Sequence, residues 1–163
     1  MKPRSTAVFR TLLLLAASLL AGTAVRAADE DDAKAAFTAF QAAIKAADHE
    51  KLWSLVDTAT QADADKYAKT VQASYAKAGD DEKAKLEKAF GLSADEMSKI
   101  TGKLFLKSKP FLGKYHEVPG SKIDKVTVEG DKATVNYTEE DGDKEKLQLV
   151  KQDGKWKLSV RVK

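Results

Sequence analysis

The side chains able to do chemistry are few. Two histidines, four tyrosines, two tryptophans and no cysteine are spread over 163 residues. Without cysteine there is no thiol nucleophile, no thiolate metal site and no disulfide, so packing alone must hold the domain. His49 and His116 stand far apart and offer no zinc spacing. The acidic run Asp29 to Asp32 lacks the alternating ligands and the glycine of a calcium loop. No metal and no other cofactor is therefore expected. Acid–base chemistry is what remains, and it needs a base tuned by burial with a donor for a developing oxyanion. The available parts are Asp57, His49, His116, Tyr67, Tyr115 and Tyr137. Each has a plainer role. Asp57 ends the apolar run Leu52 to Val56 and reads as a solvated helix-end carboxylate. His49 lies between Asp48 and Glu50 near a helix start, and His116 belongs to an irregular connection. No residue is assigned a catalytic role on this basis.

The aromatic residues point to binding. Trp53, Tyr67, Tyr137 and Trp156 all fall on expected inward faces. They are the candidate lining of a cavity for a small apolar molecule, with tyrosine hydroxyls fixing its orientation. Their plainer role is to fill an ordinary core.

The elements that must position them follow from hydrophobic period. From Ala33 to about Leu106 the spacing is helical. Phe37, Phe40, Ile44 and Ala47 make the first stripe. Leu52, Trp53, Leu55 and Val56 follow in a short helix that Asp48 can cap. A third helix is predicted from about Asp63, with Ala64, Tyr67, Val71 and Tyr75 on one face, ended by Gly79 in a left-handed conformation. A fourth runs from Asp80 to Gly91. Ser93 and Glu96 have the spacing of a capping box, with Leu92 and Met97 as its hydrophobic staple. Gly102 weakens the last helical turn, so Leu104 to Leu106 fits an extended segment as well, and Lys107 to Ser121 reads as an irregular connection. Beyond it, Val126 and Val128, then Ala133, Val135 and Tyr137, then Leu147 and Leu149, then Trp156, Leu158, Val160 and Val162 alternate with polar residues. Gly130-Asp131, Asp141-Gly142 and Asp153-Gly154 supply turns between them. Helices followed by strands predict an α+β fold: N-terminal helices packed on one face of a curved antiparallel C-terminal sheet of about four strands. The opposite face is lysine-rich, which keeps a sheet soluble or offers a surface to an anionic partner.

The front of the chain sets location. Lys2, Arg4 and Arg10 precede an apolar run from Thr11 to Ala21, and Val25 and Ala27 put small residues before Ala28. This is the layout of a secretory signal peptide over residues 1–27, too short to span a bilayer as an anchor. Thr23 stands where a lipoprotein signal needs cysteine. The expected mature protein is one domain over residues 28–163, periplasmic or secreted, with no stable membrane anchor. Removing Lys2, Arg4, Arg10 and Arg26 turns a net charge of +3 into 24 basic against 25 acidic residues. Nucleic acid is thus not an expected partner.

The paired helical start Phe37 to Val56, the strand pair Lys125 to Tyr137 and the ending Gln152-Asp153-Gly154-Lys155-Trp156-Lys157-Leu158 together resemble the nuclear transport factor 2-like (cystatin-like cone) superfamily, in particular its small exported bacterial members of uncharacterised function. The resemblance implies a curved sheet wrapped around helices, leaving a conical cavity used for catalysis, for binding small apolar molecules or for nothing known, with many members dimerising through the sheet. The long helical stretch Asp63 to Leu106 departs from the compact enzymes of that group, and no catalytic motif carries over. The expected function is non-catalytic binding of a small apolar molecule or a protein partner. The alternatives are a cavity-based lyase or isomerase, and a homodimeric interaction module without a ligand.

Overall fold

Alternating apolar residues bury one face of a strand and leave the other to solvent. That pattern yields β1 (Lys122–Glu129), β2 (Lys132–Thr138), β3 (Lys144–Gln152) and β4 (Lys155–Ser159), paired antiparallel in the order β1-β2-β3-β4. The computed structural model describes residues 8–162, with side chains from Ala27 onward. The expected leader over residues 1–27 therefore lies outside the described side chains except at Ala27. Among the described residues seven α-helices precede the sheet: α1 (Val8–Ala46), α2 (His49–Leu55), α3 (Thr58–Lys77), α4 (Asp80–Phe90), α5 (Ala94–Ser98), α6 (Gly102–Phe105) and α7 (Lys109–Lys114). A 3₁₀ turn over Val118–Gly120 leads into β1. The architecture is α+β, with an open sheet. Among the described residues no helix is long and apolar enough to cross a membrane.

Register fixes which side chains share a face. Val126 pairs with Val135 and Val135 with Leu147; Ala133 pairs with Leu149 and Leu149 with Leu158. All six are buried, and α1 packs against β1, β2 and β4 on that face. From α1, Ala33, Phe37, Phe40, Ala43 and Ile44 supply the facing stripe, and the Phe37 ring lies 5.1 Å from that of Tyr137. The turn between β3 and β4 holds Asp153 and Gly154 at φ 50° and 72°. Both therefore occupy the left-handed region that a two-residue hairpin requires. Glu139 to Asp143 form a longer loop between β2 and β3, closed by the Glu139 N–H on the Asp143 carbonyl at 2.8 Å.

Several local readings are corrected. Ala47 is exposed at φ 50° and ends α1, while Ala43 takes the buried position. Helix α3 starts five residues earlier than Asp63, because Asp57 caps it. Gly79 has φ −71° and serves as the N-cap of α4; left-handed geometry occurs instead at Gly91. The capping box at Ser93 and Glu96 is present with both of its hydrogen bonds. Leu104 to Leu106 are helical or turn residues, since Thr101 caps α6 and Gly102 is its first residue. Lys107 to Ser121 contains α7, with Pro110 in the first turn where a missing N–H costs nothing. The chain leaves β4 at Ser159, earlier than the alternation through Val162 implies. Val160 instead donates its N–H to the Thr60 hydroxyl at 3.1 Å.

Candidate functional site

Where the chain leaves β4, the first residues of β3 lose their neighbour and a cleft of about 420 Å³ opens at that end of the sheet. Tyr137 and Leu147 come from the sheet, Glu139 and Glu145 from either side of the β2–β3 loop, Lys114 and Tyr115 from the end of α7, and Arg161 from the C-terminal segment. Tyr137 is 5% exposed, yet its hydroxyl has no hydrogen-bond partner among the described residues. Burial, then the charges of Glu139 and Glu145, pushes the phenol up to about 12. Tyr115 donates to the Arg161 carbonyl at 2.9 Å, and burial raises it to about 12 against the opposing pull of Arg161. Lys114 is lowered by burial and then by the neighbouring Arg161 charge. With Lys146 at its rim, the cleft thus presents two neutral phenols, three cationic groups and two carboxylates around an apolar floor.

Glu139 also belongs to an acidic cluster that lies beside the cleft. One ligand atom each from Glu117, Glu139 and Asp141 lies within 4.8 Å of the others. Burial, then a hydrogen bond to Glu117, then the charges of Glu117, Glu145 and Asp141 raise the Glu139 carboxyl above its ordinary value. Three carboxyl oxygens this close suit a hard cation, or in its absence a shared proton. His116 stands beside them, its Nε2 3.1 Å from Glu117 and its Nδ1 donating to the Gly113 carbonyl at 2.8 Å. A wider depression of about 750 Å³ on this flank is lined by Ile44, Leu112, His116, Glu117, Glu140 and Asp141 among others.

The sequence-level candidates scatter around this geometry. Tyr137 lines the end cleft. Tyr67 lines a separate cleft of about 320 Å³ with Asp63, Lys66, Thr70, Arg161 and Val162, and its ring packs edge-on to Phe105 at 4.9 Å. Trp156 is buried on β4 with Lys151 5.5 Å from the centre of its ring, and its Nε1 has no partner among the described residues. Trp53 is half-buried on α2, where its carbonyl accepts from the Gln61 amide at 2.8 Å. Of the four, the end cleft takes Tyr137 alone. Among the acid–base parts, Tyr115 joins it, His116 stays exposed on the flank, and Asp57 is not solvated. Asp57 is a buried helix cap that accepts the Thr60 N–H at 2.7 Å. Glu117, Glu139, Glu145 and Asp141 were not among the sequence candidates. Only the pairing of β2 with β3 brings Tyr137 opposite Glu145, and only the end of α7 brings Glu117 to the loop.

Comparison with family models, with curated proteins and with solved structures finds no match for this chain.

Proposed function

We propose that the protein is an exported, non-catalytic binding protein whose end cleft holds a small molecule with an apolar body and a hydrogen-bonding head. The observation that carries this reading is the Tyr137 hydroxyl: a phenol on a largely buried ring that meets no hydrogen-bond partner among the described residues and opens into a cleft. The hydroxyl opens into the cleft and is not sealed from water, so a ligand acceptor there adds the net worth of one hydrogen bond, about 0.5–1.5 kcal/mol. Lys114 and Arg161 favour a head with negative charge or strong acceptors. The apolar ligand expected from the sequence is thereby narrowed to an amphipathic one. Export rests on the leader layout of residues 1–27, and the nuclear transport factor 2-like resemblance on the paired helical start Phe37 to Val56, the strand pair Lys125 to Tyr137 and the ending Gln152 to Leu158.

Two measurements test it. N-terminal sequencing of protein collected outside the cytoplasm should begin at Ala28. Native mass spectrometry of the same material should show a small mass that leaves on denaturation, at an occupancy about tenfold lower in Tyr137→Phe, the loss of one hydrogen bond. A ligand-free protein that also fails to enhance anilinonaphthalene sulfonate fluorescence would refute the binding reading. One observation favours a second reading. Glu139, raised by burial and its acidic neighbours, shares the cleft with two phenols, the components of a lyase or isomerase. Turnover abolished by Glu139→Gln, with binding retained, is what that reading requires.

A further inference from the structure

We infer that the outer face of the sheet docks on a bilayer surface carrying anionic lipid headgroups. Register puts Lys122, Lys125, Lys132, Lys144, Lys146 and Lys155 on the face opposite the buried valines and leucines. All six are exposed, and none is paired among the described residues. Lys157 shares the face but donates to the Ser54 carbonyl. Only Asp124 and Glu129 oppose them there, and Asp124 is held by the Thr138 hydroxyl at 2.7 Å. Residues 28–163 are close to neutral as a whole, with 24 basic and 25 acidic groups. Setting aside those seven lysines and two acids leaves 17 bases against 23 acids, so the charge is segregated and not merely abundant. A segregated field orients a protein on an oppositely charged surface.

The shape of the face selects the partner. The lysines stand towards both ends of the strands, around a neutral band of Thr127, Thr134, Gln148 and Ser159 that crosses the sheet. Four strands spaced about 4.8 Å apart make a broad platform. No aromatic side chain lies on it, so it lacks the stacking surface with which proteins hold single-stranded nucleic acid. No apolar side chain except Val150, half-buried between Lys132 and Lys157, is available to insert. A broad array of point cations without a wedge matches peripheral attachment by charge alone.

The test uses the mature protein as the cell releases it and vesicles of phosphatidylcholine with or without phosphatidylglycerol. Co-sedimentation is expected only with phosphatidylglycerol present, and it should fade as salt rises. Each lysine held near such a surface contributes about fivefold in partitioning, so Lys125→Gln with Lys146→Gln should weaken binding about 25-fold. Lys146 also lines the end cleft, so Lys125→Gln with Lys132→Gln, both clear of it, should weaken binding equally, whereas Lys69→Gln with Lys77→Gln on the exposed surface of α3 changes net charge equally and should leave binding unchanged. Equal binding to neutral vesicles, no binding to either, or equal loss in the α3 pair overturns the inference. So does capture of soluble polyphosphate through Lys125 and Lys146 by a protein that leaves vesicles unbound.

Discussion

Replacing Asp57 by alanine should cost about 2–3 kcal/mol, and replacing it by asparagine should cost under about 1. The carboxylate is 3% exposed and accepts the N–H of Thr60, itself 3% exposed. Alanine removes the acceptor and strands a buried donor; loss of a cap costs about 1 kcal/mol and an unsatisfied buried N–H adds up to a few more. The neighbours amplify the damage. Asp57 donates its own N–H to the Leu158 carbonyl at 2.9 Å, beside the short bridge between Val56 and Leu158. Thr60 holds Val160 through the N–H at 3.1 Å. Movement at the cap therefore loosens both the start of α3 and the exit of β4. Asparagine keeps an oxygen in the same place and gives up only the interaction of a charge with the helix dipole, about 0.3–1 kcal/mol. At roughly 4 °C per kcal/mol for a domain of this length, the melting temperature should fall by about 10 °C for Asp57→Ala and by no more than about 4 °C for Asp57→Asn. Calorimetry of both variants decides it. Equal losses would mean that the negative charge, not the cap, is what the fold uses, and Asp57 would return as a candidate for chemistry.

Gly102 should resist even alanine. An added Cβ would stand 2.5 Å from the Asp65 backbone nitrogen and 2.8 Å from the Ala64 carbonyl carbon, so Gly102→Ala pushes α6 off α3 at about 1–3 kcal/mol, read by urea denaturation. Glu96 is held down from 4.5 to about 2, first by the Lys107 ammonium and then by the Ser93 N–H. Its folded value lies below its unfolded one, so its stabilisation is complete above pH 4.5 and is lost as pH falls towards 2. Both side chains are nearly a third exposed, so solvent screening limits the effect to about 1 kcal/mol, and Glu96→Gln should flatten the acid limb of stability against pH. Glu139 has the opposite sign. Its folded value is raised, so its contribution is complete below 4.5 and is lost as pH rises through that folded value. Glu139→Gln should therefore raise the urea midpoint at neutral pH, and a lower midpoint would contradict the crowding of Glu117, Glu139 and Asp141.

The strands and the capped helices were legible because their signals are local. Asp153-Gly154 specifies a turn by backbone chemistry alone, and Ser93 with Glu96 specifies a helix start by two hydrogen bonds three residues apart. Helix boundaries failed where a distant partner decided them. The early start of α3 depends on Asp57 being buried against the strand that ends at Ser159, about 100 residues later. Gly102 looked like a weak point of a helix because propensity is a property of one residue. Its real cause is the approach of α3, with the Asp65 carboxylate accepting the Gly102 N–H at 2.9 Å.

The same distinction explains the site. An inward-facing aromatic in a strand says only that one side of the ring is covered, and four such residues on different elements need not meet. Trp156 faces the Lys151 ammonium, Tyr67 faces Phe105, Trp53 stays on α2, and Tyr137 alone reaches the end of the sheet. What makes that end a site is an interruption. Because Val160 turns to Thr60, β4 cannot continue alongside the first residues of β3, and Tyr137, Glu145 and Leu147 are left bordering open space. Had the chain run on in register through Val162, as its alternation implies, the added strand would have covered the cleft. The end cleft therefore depends on the Thr60 hydroxyl as much as on any residue that lines it. Thr60→Val is the perturbation that separates the two roles: it keeps the volume and removes the acceptor.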